Sequence, residues 1–128
     1  MAKRILGIIE NAYRATIEEQ DDTVVWFTHA VKAGGADITV ALRGNAVSYA
    51  ARGQNAAGLQ LGDWKQTQPP DMAGDLGRLI ARGVEVYVVE DDAAARGLGR
   101  SDLIDGVKAV DRAGLAALVG RYDAIWHW

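Results

Sequence analysis

Three short runs constrain this chain more than anything else in it: Ile5-Leu6-Gly7-Ile8-Ile9, then residues 38–42, then residues 84–89. None shows the apolar-polar alternation that a strand needs when one of its faces meets water, and five of the six residues in the third run are β-branched or aromatic. Such runs belong to central parallel strands covered on both faces. Parallel strands cannot be joined by tight turns, so helices must carry the chain across the sheet. The expected fold is therefore α/β, a three-layer α/β/α sandwich with a mainly parallel five-stranded sheet, formed as one domain over residues 1–128. A chain of that length buries roughly two-thirds of the surface that its unfolded form exposes.

The intervening segments supply those helices. Asp21, Asp22 and Thr23 precede apolar residues at helical spacing, and Lys32 and Gly34 close them, which predicts a helix over 23–33. Residues 46–52 form a short helix stopped by Gly53, while residues 54–70, ending in Pro69-Pro70, read as irregular. Asp71 caps a helix running to Arg82 with Met72, Leu76, Leu79 and Ile80 on its buried face, and Gly83 ends it. Short helices over 91–97 and 101–105, a strand over 107–110, a helix over 111–120 and a last strand over 124–128 complete the order.

Composition excludes several classes of function. A net charge of −3 and no basic stripe leave no electrostatic footprint for nucleic acid. The apolar start is broken at Glu10, too early for a signal peptide or a membrane span, so no membrane partner is expected and the cytosol is the expected location. The chain has no cysteine, hence neither a disulfide framework nor a thiolate metal site. No cofactor motif is complete: Gly97-Leu98-Gly99 follows a helix and lacks the third glycine of a dinucleotide fingerprint. His29 and His127 lack the paired spacing of metal ligands, and Ser48 and Ser101 lack a nucleophile elbow. No catalytic residue, metal or cofactor is assigned.

The stretch from Gly83 to Leu98, the segment from Ser101 to Lys108 and the terminal Tyr122-Asp123-Ala124-Ile125-Trp126 together resemble the DsrE/DsrF-like family of sulfur-relay proteins. The order of parts is similar across nearly the whole chain: a first strand, a helix ending in Lys32-Ala33-Gly34, a strand closed near a glycine, then a strand, Ala95-Arg96-Gly97 and Leu103-Ile104-Asp105-Gly106-Val107. The resemblance implies oligomers, trimeric or hexameric, of like or related subunits. It also places the relay cysteines on Val89 and Asp92, neither of which holds a persulfide. Covalent sulfur carriage by this chain is excluded, and a non-catalytic or small-molecule-binding role linked to sulfur metabolism is what remains.

Ligands of parallel α/β sheets collect at the carboxyl ends of the strands. That rule nominates Glu10, Asn11 and Arg14 after the first strand, Arg43 and Asn45 after the second, and Glu90, Asp91 and Asp92 after the third. Asp91 and Asp92 offer N-cap side chains to the following alanines, which accounts for the triplet without a ligand. The competing reading is an enzyme that uses Glu10, Asp91 or Asp92 as acid, base or metal ligand, since adjacent carboxylates raise one another's pKa. Trp64, Trp126 and Trp128 are the candidate subunit contacts: tryptophan is enriched at interface hot spots, and Trp126 and Trp128 fall on one side of the terminal strand. Core packing is the alternative for them.

Overall fold

The three apolar runs form the centre of one sheet. In a computed structural model that describes residues 3–13, 22–54 and 56–128, β1 (Arg4–Ile9) and β2 (Asp37–Leu42) pair along their full lengths, Arg4 opposite Asp37 and Ile9 opposite Leu42. Strands β3 (Gln60–Leu61) and β4 (Trp64–Lys65) make a separate antiparallel hairpin. β5 (Val86–Val89) joins β2, β6 (Lys108–Val110) joins β5, and β7 (Ala124–His127) joins the free side of β1. The order is β6-β5-β2-β1-β7, with every pair parallel. The central strands are buried from both sides, which is why their sequences do not alternate.

Among the described residues the α-helices are α1 (Thr23–Ala33), α2 (Met72–Ala81), α3 (Glu90–Ala95) and α4 (Arg112–Val119). Three of their starts follow the acids that precede them. Asp22 accepts from the Val24 and Val25 amides at 2.9 and 3.1 Å, Asp71 from Gly74 at 3.0 Å and Asp111 from Gly114 at 2.6 Å. The second oxygen of Asp22 accepts from the Tyr49 hydroxyl at 2.6 Å, so this fully buried carboxylate also ties α1 to the 3₁₀ segment Gly44–Ala50.

The direction of travel sets which face each helix covers. From β1 the chain steps through β2, β5 and β6 one way along the sheet, then returns through α4 to β7 on the far side of β1. Because parallel crossovers are right-handed, a reversal of direction moves the connecting helix to the opposite face. One face accordingly carries α1, α2 and the 3₁₀ segment over Ile9, Val40, Leu42, Val86 and Val88. The other carries Leu115 and Leu118 of α4 over Leu6, Ile8, Ala41 and Val89.

The structure departs from expectation in five places. Residues 54–70, expected to be irregular, contain the β3-β4 hairpin, whose turn uses Gly62 at φ 60° as tight two-residue hairpins require. The expected helix over 46–52 is a 3₁₀ segment starting at Gly44, and the expected helix over 101–105 is a 3₁₀ turn, Arg100–Asp102. The ladder of β5 starts at Val86, although Val84 before it is buried. Finally, α3 starts directly from β5 with Val89 at the capping position and no side-chain cap, so Asp91 and Asp92 are not its N-caps. They lie inside its first turn and point elsewhere.

Candidate functional site

The carboxyl ends of the strands gather a compact set of charged groups. Arg43 follows β2 and the chain turns at Gly44, whose φ of 56° is open to glycine and whose missing side chain leaves room for Glu10, Cγ of which would sit 3.2 Å from a Cβ there. That turn aims the Gly44 amide at Asp92, which accepts from it through Oδ2 at 2.8 Å. The other oxygen of Asp92 accepts from Arg112 Nη2 at 2.9 Å. Asp91 accepts from the Arg112 backbone amide at 3.1 Å, so two successive acids of α3 hold the first residue of α4. Arg96 completes the frame, donating to Asn45 Oδ1 at 2.7 and 3.1 Å and to the Asp92 carbonyl at 2.9 Å.

Burial by itself would raise the pKa of Asp92. The hydrogen bonds from Arg112 and Gly44 and the charges of Arg112 and Arg96 outweigh it and hold the carboxyl below its usual range. The expectation that neighbouring acids raise one another is therefore reversed at Asp92, because each acid of the triplet has found a cation or an amide. Asp92 is fixed in its ionised form, which suits a structural anion better than a proton donor.

The remaining nominated residues divide. Glu10 joins the set: Arg43 Nε lies 3.6 Å from its Oε1, and His127 Nε2 lies 2.9 Å from its Oε2. The pair Glu10 and His127 stands between β1 and β7, where the strand order reverses and where open sheets most often bind ligands. The backbone there is closed, since the Glu10 and Asn11 amides both donate to the Trp128 carbonyl, at 2.9 and 3.3 Å. Asn11 is exposed, and Glu90 points away to Arg100 at 2.6 Å. Arg14 lies outside the described residues. Among the described residues no group of three or more His, Asp or Glu side chains could hold a metal ion.

Sequence reasoning missed Arg96, Arg112 and His127. Arg112 was within its reach: it follows β6 as Arg43 follows β2, and the same strand-end rule would have nominated it. The contacts of Arg96 and His127 depend on pairings 51 and 117 residues apart in the chain, which no local pattern encodes.

Beside this set lies a cleft of about 280 Å³ under α4. Ile8, Val89, Leu115, Ala116 and Val119 make its walls, and Arg43, Asp92 and Arg112 are its charged groups. On the other side of the sheet the aromatics form their own group. Trp126 and Trp128 share a side of β7 and contact Phe27 of α1, with ring centroids 5.8 and 6.0 Å apart. Trp128 stays 40% exposed, and Trp64 stays 54% exposed on the hairpin beside Leu61.

With this geometry in view, comparisons place the chain among known proteins. The ychN protein from E. coli superposes over 100% of both chains with a TM-score of 0.74 at 20% sequence identity. Protein MTH1491 from Methanobacterium thermoautotrophicum, of unknown function, matches over 97% of this chain and 98% of its own with a TM-score of 0.66 at 16% identity. Protein BT1422 from Bacteroides thetaiotaomicron, also of unknown function, matches over 97% and 94% with a TM-score of 0.63 at 14% identity. Identities this low speak for the fold alone. No curated protein sequence matches the chain. The model of the DsrE/DsrF-like family matches residues 11–127, so the chain, cysteine-free as it is, belongs to the DsrE/DsrF-like family.

Proposed function

We propose that this chain is a non-catalytic, small-molecule-binding subunit of an oligomer, and that any sulfur handled in its assembly is carried on a partner's thiol. The observation that carries this reading is what occupies the positions assigned to the relay cysteine. Val89 is a buried wall of the cleft under α4, and both carboxylate oxygens of Asp92 are committed to Gly44 and Arg112. A group locked in this way neither attacks sulfur nor shuttles a proton; it shapes a cavity. Trp64, Trp126 and Trp128 are the proposed subunit contacts, because Trp64 and Trp128 expose large aromatic surface that is costly in water and typical of interface anchors, and the half-buried Trp126 lies on the same side of the last strand as Trp128.

Two measurements test the reading. Intact-mass analysis after incubation with a persulfide-loaded donor should show no added sulfur, since only the thioethers of Met1 and Met72 are present and these are not exchange nucleophiles. Native mass spectrometry of the protein from its own host should show more than one subunit together with a retained small molecule. A sulfur-loaded chain, or a bare monomer, would overturn it.

One observation favours a second reading, acid-base catalysis. Glu10 meets His127 at 2.9 Å where the strand order reverses, and a carboxylate oriented on an imidazole is a common proton-transfer arrangement. Turnover of the retained molecule by the wild-type protein, lost in Glu10→Gln and in His127→Gln, would replace the first reading with this one.

A further inference from the structure

The geometry points to a small organic monoanion, a carboxylate on a short apolar body, as the ligand of the cleft under α4. This deepens the ligand-binding reading and rests on it. The walls are apolar, so the body of the ligand must be apolar too. The volume of about 280 Å³ sits at the small end of ligand cavities, which run from roughly 300 to 1,000 Å³, so that body is short.

The charges decide the head group. Two guanidiniums and one carboxylate line the cleft. Asp92 and Arg112 neutralise each other across their 2.9 Å hydrogen bond, and Asp92 accepts again from Gly44. Arg112 also has Asp91 4.0 Å from its Nε, so two carboxylates compete with any anionic ligand for its charge. Arg43 is different. Its one ion pair among the described residues is with Glu10 at 3.6 Å, and its guanidinium donates no hydrogen bond there. A planar fork of N–H donors at the mouth of an apolar cleft fits a carboxylate edge-on.

The neighbours also argue against other heads. A cationic ligand would face Arg43 and Arg112 and find the Asp92 carboxylate already spent. A phosphate dianion presents three oxygens to the cleft, more than the single guanidinium fork of Arg43 can pair edge-on.

Three probes of one chain length separate these cases: hexanoate, hexanamide and hexylamine, titrated into the full chain by calorimetry. Hexanoate should bind, with hexanamide weaker and hexylamine silent. Arg43→Gln should weaken hexanoate by about tenfold or more while circular dichroism stays unchanged, because the lost contact is a charge-assisted hydrogen bond at a half-exposed side chain. Ala116→Leu, on the exposed side of α4, should block binding by filling the mouth.

Equal binding of hexanamide, preferred binding of hexylamine, or hexanoate affinity unmoved by Arg43→Gln would overturn the anion. Each of those results leaves the cleft standing as a ligand site if Ala116→Leu still blocks it. A neutral or cationic molecule retained from the host would likewise overturn the anion alone. No probe bound and nothing retained would remove both the anion and the ligand-binding reading.

Discussion

The two faces of one sheet are built differently. On the first, two helices and a 3₁₀ segment lie over the strands, and Leu76 and Leu79 of α2 are fully buried among them. On the second, the one helix among the described residues is the eight-residue α4, which covers Leu6, Ile8, Ala41 and Val89, with Leu115 and Leu118 not quite sealed. The strand residues are equally apolar on both sides, so the difference does not come from the strands. It comes from topology: only the final crossover reverses direction, and one short helix cannot close over a surface that three elements close on the other side. The gap it leaves is the cleft, next to the best-organised charged cluster in the protein.

The largest test of this contrast compares two leucines. Leu79→Ala on the thick face removes a side chain with 0% exposure and should cost about 3–5 kcal/mol, the upper part of the range for buried leucines. Leu115→Ala on the thin face, at 8% exposure and beside an existing cleft, should cost about 2 kcal/mol because solvent can occupy the enlarged space. Urea titrations measure both. Equal losses would mean that the two faces are packed alike.

Next in size is the tie within the thick face. Asp22→Ala removes the cap of α1 and the acceptor of the Tyr49 hydroxyl in one step. A loss of about 2–3 kcal/mol is expected, combining an N-cap with a buried hydroxyl whose donated hydrogen bond to Asp22 is removed. Asp22→Asn should recover part of it. A loss no larger than that of Asp71→Ala, a cap with no such second side-chain contact among the described residues, would show that the bond to Tyr49 contributes little.

The aromatic edge provides the third test. If the proposed contacts hold, Trp128→Ala and Trp64→Ala should each weaken assembly by about 2 kcal/mol, roughly thirtyfold in dissociation constant, with the monomer still folded. Sedimentation and circular dichroism read the two effects separately. Unfolding of Trp128→Ala would assign that residue to the packing of the thick face, through its contact with the half-exposed Phe27.

The smallest effect is in acid, and it separates the faces by pH. His29, between α1 and α2, has its pKa lowered by burial and then by the charges of Arg82 and Arg78. Its contribution is therefore complete above the unfolded value of 6.5 and is lost as the pH falls through the lower native value. Asp92 is also lowered, so its contribution is complete above 3.8 and disappears only in stronger acid. Stability followed against pH should fall first on the thick face and then on the thin one. His29→Gln should remove the upper step and Asp92→Asn the lower; an unchanged upper step in His29→Gln would break the assignment.

Most of the architecture was legible locally. The runs at 5–9, 38–42 and 84–89 name the central strands, and Asp22, Asp71 and Asp111 mark helix starts because a short polar side chain before an apolar repeat has one good use. The hairpin was missed although Gly62-Asp63 is a turn signal, since its strands are two residues each and too short to show alternation. At the charged edge the rule of strand ends nominated Glu10, Arg43, Asn45, Asp91 and Asp92, all of which the fold brings to one edge. It could not say that Asp92 would turn from its own helix to the amide of Gly44, because that amide arrives from 48 residues away.

By itself, then, the amino-acid sequence determined the α/β class, the burial of its central strands, the family and the absence of any thiol. The class, the burial and the missing thiol follow from local periodicity, residue type and composition, and the family from the resemblance of motifs along the chain; none of these needs knowledge of neighbours in space. The tertiary structure alone decided that one face would be thin, that a cleft would open under α4, and that Asp92 would be locked while Arg43 kept its donors. Each of these depends on which strand lies beside which. The strand order is set when β7 returns to the far side of β1, a long-range pairing that satisfies the backbone of β1 and leaves no trace in the local pattern of either strand.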